Sequence, residues 1–154
     1  MTTPPTGEPK AIEGMRRLLR HLPQGDDLTL IVLKGHLLIE EQLTDMLEKR
    51  MTSKASALKK ARLQFSQLLA VVRGLTYVRE RAWMWTGISK LNSLRNDLVH
   101  HIEPKRVEAL VKQIIQALKV VVDLAPLGLR DNTAGRLRAA IALMYASLVT
   151  YDWK

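Results

Sequence analysis

The 154 residues suit a single domain, and 24 Lys and Arg against 15 Asp and Glu give a formal charge of +9. A hydrophobic share of 47% can fill a core, which excludes wholesale disorder, and the lack of cysteine excludes disulfide scaffolds, thiolate-held metals and cysteine nucleophiles. No stretch approaches the ~18 consecutive apolar residues of a membrane span. The opening MTTPPTGEPK also has no apolar segment of the signal-peptide kind, so a cytoplasmic protein without a membrane partner is expected.

Three Trp, three Tyr, one Phe and eight Gly are few, and no alternating apolar–polar run reads as a hairpin, so the expected class is all-α. A Pro/Thr-rich tail over 1–9, expected to be mobile, precedes one helical domain over 10–154. The first helix runs from about Lys10 to Leu22 and stops at Pro23 and Gly25. Asp26 is a good N-cap for the second, about 27–51, with apolar positions at Leu30, Leu33, Leu37, Leu43 and Leu47. Residues 52–62 are basic and weakly patterned, a linking segment or a frayed helix end. A short helix from about Phe65 to Arg73 follows, with Gly74 as its C′ residue. The fourth, about 79–101, places Met84, Ile88, Leu91, Leu94 and Leu98 in the core. Pro104 stands near the start of the fifth, about 105–124, which carries Val107, Leu110, Val111, Ile114, Ile115, Leu118, Val121 and Val122. Pro126 and Gly128 break it, and a sixth helix occupies about 134–150. Five to six helices with short connections imply an up-and-down bundle.

Two charges fall on apolar arcs. Rotating about 100° per residue, Arg95 lies about 40° from Leu91, inside the arc of Met84, Ile88, Leu94 and Leu98. Glu40 lies about 20° from Leu33, between Leu37 and Leu47. A buried charge needs a partner, so Glu40 and Arg95 are expected to meet, unless either snorkels from the edge of its stripe. His100 lies opposite Leu91, and Asn96, Asn92 and Trp85 continue its side as a strip free to face a second copy of the chain. His36 reads as a satisfied core histidine, and His21 as a surface residue beside a helix end. Of Trp83 and Trp85, one packs in the bundle, and the other serves a dimer face or stacks on a base. The basic stretch Lys54, Lys59, Lys60 and Arg62 is either an RNA-contacting segment or a solvated linker. No ligand cluster for a metal is evident, and no cofactor is expected.

The segment LNSLRNDLVHHIEP, with Arg95, Asn96 and His100, resembles the signature helix of the HEPN superfamily. There an Arg, followed by Asn or another polar residue, precedes a His with four to six residues between them, and here four residues lie between Arg95 and His100. The order of an apolar helix with an embedded acid (LIVLKGHLLIEEQL), a short helix opening with Phe (FSQLLAVVRGL), the Arg-Asn helix and a Glu-Pro turn (Glu103–Pro104) is similar to the branch that includes the mannitol operon repressor family. The resemblance covers roughly residues 26–124. It implies a HEPN-like bundle and a metal-independent endoribonuclease, a toxin or defence component whose composite site is built across a homodimer. Arg95, Asn96 and His100 would be catalytic and Glu40 supporting, with RNA as the substrate and an antitoxin protein as a further partner.

The chemistry suits these residues. Attack of a ribose 2′-OH needs a base and an acid, and imidazole serves as either. A guanidinium presents forked donors to a phosphate, and a +9 chain grips an RNA backbone regardless of sequence. HEPN toxins silenced by nucleotidyl transfer carry Tyr two residues after the His, whereas this chain has Ile102, which puts that mode of neutralisation in doubt. The alternative is a non-catalytic dimeric regulatory or binding module, in which Glu40–Arg95 is a core pair and His100 caps its helix. A third reading is docking of the first helix on a membrane surface through Met15–Arg20, a basic side that has no aromatic anchor.

Overall fold

The computed structural model describes residues 9–51, 56–76, 81–119 and 132–151, and every regular element among them is helical. The elements are α1 (Lys10–His21), α2 (Leu28–Arg50), α3 (Ser56–Ala61), α4 (Phe65–Gly74), α5 (Ala82–His100), α6 (Val107–Lys119) and α7 (Thr133–Val149). The all-α bundle expected from the periodicity is present, with six helices of ten residues or more and the short α3 inside the basic segment. The expectations for the first eight residues, for Lys54 and for Val121 and Val122 lie outside the described residues.

Local chemistry sets most helix ends. Pro23 and Gly25 follow α1 as expected, but α2 begins one residue late, so the cap is Asp27, whose Oδ1 accepts the Leu30 N–H at 2.9 Å. Asp26, the expected cap, instead accepts from Asn132 Nδ2 at 3.3 Å, and Asn132 caps α7 by accepting the Gly135 N–H at 2.7 Å. Gln67 turns back to accept the Gln64 N–H at 2.9 Å where α4 starts. Gly74 is the last residue of α4 rather than the residue beyond it, and Leu75 caps the helix. Arg62, at φ 46°, is the left-handed residue that ends α3. Pro104 precedes α6 by three residues instead of opening it.

α5 is central. It packs most extensively on α6 and also touches α2, α4 and α7, while α2 lies along α7 and α4, and α1 rests on α7. Met84, Ile88, Leu91 and Leu94 of α5, with Ile114 and Leu118 of α6 and Leu137, Ile141 and Met144 of α7, are fully buried. Gly35 and Gly87 are among the glycines that permit close helix approach. A Cβ on Gly35 would lie 2.6 Å from Ile141 Cδ1, and one on Gly87 would lie 2.7 Å from Met144 Sδ. Arg138 of α7 closes the α1–α2 turn by donating to the carbonyls of Pro23 (2.9 Å), Gln24 (3.1 Å) and Gly25. No helix among the described residues is long and apolar enough to cross a membrane.

The buried face of α2 is only partly the one its leucines suggest: Leu43 and Leu47 are buried as expected, and Leu38 with them. Leu30 and Leu37 are 42% and 52% exposed, while Ile31, Val32, His36, Ile39, Leu43 and Met46 face inward. α2 carries apolar residues on nearly every side, and contact with three helices buries a half-turn centred well away from Leu33.

Candidate functional site

The residues singled out by the motif lie along the second half of α5. Ser89, His100, Ser93 and Thr86 fall between about 160° and 220° from Leu91, and they form its solvent strip, with Ser93 half-buried. Asn92, Trp85 and Asn96 lie beside that strip, at about 100–140°. The two asparagines are half-buried, and Trp85 is 1% exposed. Trp85 therefore belongs to the core and is not part of a free face. Trp83 is the half-buried member of the pair.

Glu40 and Arg95 do not meet as expected; no ion pair joins them among the described residues. Arg95 instead donates from Nη1 to Oδ1 of its neighbour Asn96 at 3.1 Å. Glu40 has its nearest cation-forming partner in its own helix, Oε2 standing 3.8 Å from His36 Nδ1. The reason is the rotation of α2, which puts Glu40 at the edge of the core with its side chain 37% exposed. Water solvates a carboxylate there, so no buried counter-charge is required.

His36 is indeed a satisfied core histidine. Its Nε2 pairs with Asn92 Oδ1 at 3.0 Å, and its ring tilts against Phe65, the first residue of α4, at 4.1 Å between centroids. Burial pushes this imidazole below the usual histidine range; the Asn92 hydrogen bond and the Glu40 charge oppose that shift, and the Arg95 charge adds to it. His36 thus ties α2, α4 and α5 together beside Arg95.

A pH dependence of stability follows from this shift. A ring held neutral in the fold but protonated freely in the unfolded chain stabilises fully above its ordinary value of 6.5. That contribution is lost as pH falls from there towards the lower native value, at up to about 1.4 kcal/mol per pH unit. Urea midpoints for wild type and His36→Gln should therefore diverge in slope between pH 7.5 and pH 5.5, the variant being flatter. Equal slopes would assign the dependence to other groups.

His100, in the last turn of α5, is exposed. The next residue has a defined partner that the sequence reading missed. His101 Nδ1 stands 3.3 Å from Asp97 Oδ1 and 3.2 Å from the Asp97 carbonyl oxygen. The Asp97 carboxylate is 8% exposed and also accepts the backbone N–H of Arg106 from the α5–α6 turn, at 3.4 Å. An Asp and a His four residues apart at a helix end were a legible signal. That the Asp is buried depends on α6 folding back over it.

The basic stretch is only partly placed. Lys60 and Arg62 are exposed at α3 and its end, while the side chain of Lys59 lies outside the described residues along with Lys54. A polar concavity of about 700 Å³ opens between α1, α2 and α7. Five cations, Lys10, Arg16, Arg17, Arg20 and Lys49, line it with three acids, Glu13, Glu41 and Asp45; Arg17 pairs with Glu41 and Lys49 with Asp45, so an anion entering it meets carboxylates as well. Tyr145 lies in its wall, with burial raising the phenol above its ordinary value. No group of three or more His, Asp or Glu among the described residues is arranged to hold a metal ion. In comparisons with family models, curated proteins and solved structures, the chain matches none.

Proposed function

We propose that the chain is a metal-independent endoribonuclease whose reaction centre lies on the last two turns of α5. The observation that carries this reading is the placement of Arg95. Arg95 is half-buried, and its guanidinium is turned by a 3.1 Å hydrogen bond onto Asn96, which lies beside the solvent strip that ends in exposed His100. Five residues of helix separate Arg95 from His100 by about 7.5 Å along the axis. They also stand about 140° apart around it, so one RNA strand meets both through the length of the arginine and a second copy of the chain packed across this face. Arg95 would neutralise charge developing at phosphorus, Asn96 would hold the guanidinium in place, and His100 would transfer protons. Glu40 would set the charge around His36 beside Arg95 rather than pair with the arginine itself. Lys60 and Arg62, with Lys54 and Lys59, would add backbone contacts on a +9 chain. Completion of the site by a second copy, control by an antitoxin protein and a cytoplasmic setting belong to the same proposal.

Purified protein incubated with total RNA in EDTA is expected to cleave it and leave 2′,3′-cyclic phosphate ends, because the nucleophile belongs to the RNA. DNA, lacking the 2′-OH, is expected to remain whole. Intact RNA would overturn the proposal. The second reading, a dimeric binding module without catalysis, draws support from the exposed ridge of Leu30 and Leu37 on α2, with half-buried Leu33 between them. It expects stable association without cleavage.

A further inference from the structure

From the geometry at the end of α5 we infer that His101, held by buried Asp97, is the general base of RNA cleavage, with neighbouring His100 as its acid. The inference rests on the ribonuclease reading above and adds to it two groups that the motif does not contain.

The Asp97 side chain is 8% exposed and fixed from two sides, by the Arg106 N–H at 3.4 Å and by His101 Nδ1 at 3.3 Å. The same Nδ1 lies 3.2 Å from the Asp97 carbonyl oxygen. Both neighbours of that nitrogen are acceptors, so Nδ1 carries the hydrogen, and Nε2 is left with its lone pair. The His101 side chain is 62% exposed, which presents that lone pair to solvent and to any bound strand. The hydrogen bond to the carbonyl fixes one tautomer of this exposed imidazole, and the buried carboxylate beside it favours the charge that the ring gains as a general base. The same carboxylate also ties the start of α6 to the end of α5, so the ring is held by the fold and not by a free loop.

The reaction balances on these groups. His101 Nε2 removes the proton of the ribose 2′-OH as the 2′-oxygen bonds to phosphorus. The P–O5′ bond breaks, and the departing 5′-oxygen takes its proton from the His100 imidazolium. The products are a 2′,3′-cyclic phosphate and a 5′-hydroxyl, and solvent restores the two rings to their starting protonation. Asp97 touches no reacting atom and is a positioning residue.

The test compares wild type, His100→Ala, His101→Ala and Asp97→Asn on total RNA in EDTA, with nitrogen-detected NMR of the His101 ring. His101→Ala is expected to lose about 10²-fold in rate and to regain part of it when imidazole is added, since the exposed position leaves room for the free base. The wild-type ring is expected to carry its hydrogen on Nδ1, and Asp97→Asn to keep that tautomer through the carbonyl while slowing cleavage. If wild type and His100→Ala behave as the ribonuclease reading demands but His101→Ala cuts normally, the inference falls and the reading stands. If wild type cuts nothing, both fall. A loss in His101→Ala that imidazole does not repair, or a wild-type hydrogen on Nε2, also overturns the base assignment. The NMR reading does so without relying on a variant that folds.

Discussion

Trp85→Ala is expected to lower stability by about 3–5 kcal/mol, while Leu37→Ser changes it by less than about 1 kcal/mol. Trp85 is 1% exposed on the central helix, close to fully buried Met84 and the close-packed Gly87, so truncating its indole leaves a cavity where α5 packs on its neighbours. Leu37 is 52% exposed and surrenders little burial when replaced. For a chain of this length the Trp85 variant should melt lower by on the order of 10 °C, and the Leu37 variant by no more than a few degrees. Thermal unfolding by circular dichroism reads both. The contrast is informative because the apolar pattern alone puts Leu37 in the core and Trp85 on a free strip. A Trp85→Ala protein as stable as wild type would mean that α5 is rotated relative to the arrangement described above.

His100→Ala is expected to reduce RNA cleavage by at least about 10²-fold without altering the melting temperature. The side chain is exposed at the end of α5, so its removal leaves no cavity and strands no buried partner. Cleavage that survives this change at the wild-type rate would remove His100 from the reaction. Arg95 is the harder probe, since it is half-buried and shares a hydrogen bond with Asn96. Arg95→Lys keeps the charge and loses the forked donors, which separates phosphate recognition from simple electrostatic support. A matching loss in Arg95→Lys, with an unchanged melting temperature, is the expected companion result.

Local pattern was sufficient for the helices themselves. Pro23 with Gly25 stops α1, and the 3.6-residue repeat of Leu110, Val111, Ile114 and Leu118 in α6 faces inward as read. Met84, Ile88, Leu91 and Leu94 were legible for the same reason, because α5 has a single apolar stripe in that stretch. Tertiary structure decided which way α2 turns. With Ile31, Val32 and Ile39 on one side and Leu30, Leu33 and Leu37 on the other, its own sequence supports either rotation, and only the joint packing of α4, α5 and α7 selects one. The Glu40–Arg95 pairing failed with that rotation. His36 and Asn92, at the α2–α5 contact, and Asp97 with the Arg106 N–H, at the α5–α6 corner, acquired their partners from tertiary structure as well. Periodicity along a helix is a property of the chain. The burial of a polar side chain, and so the partner it must find, depends on which neighbouring helix covers it.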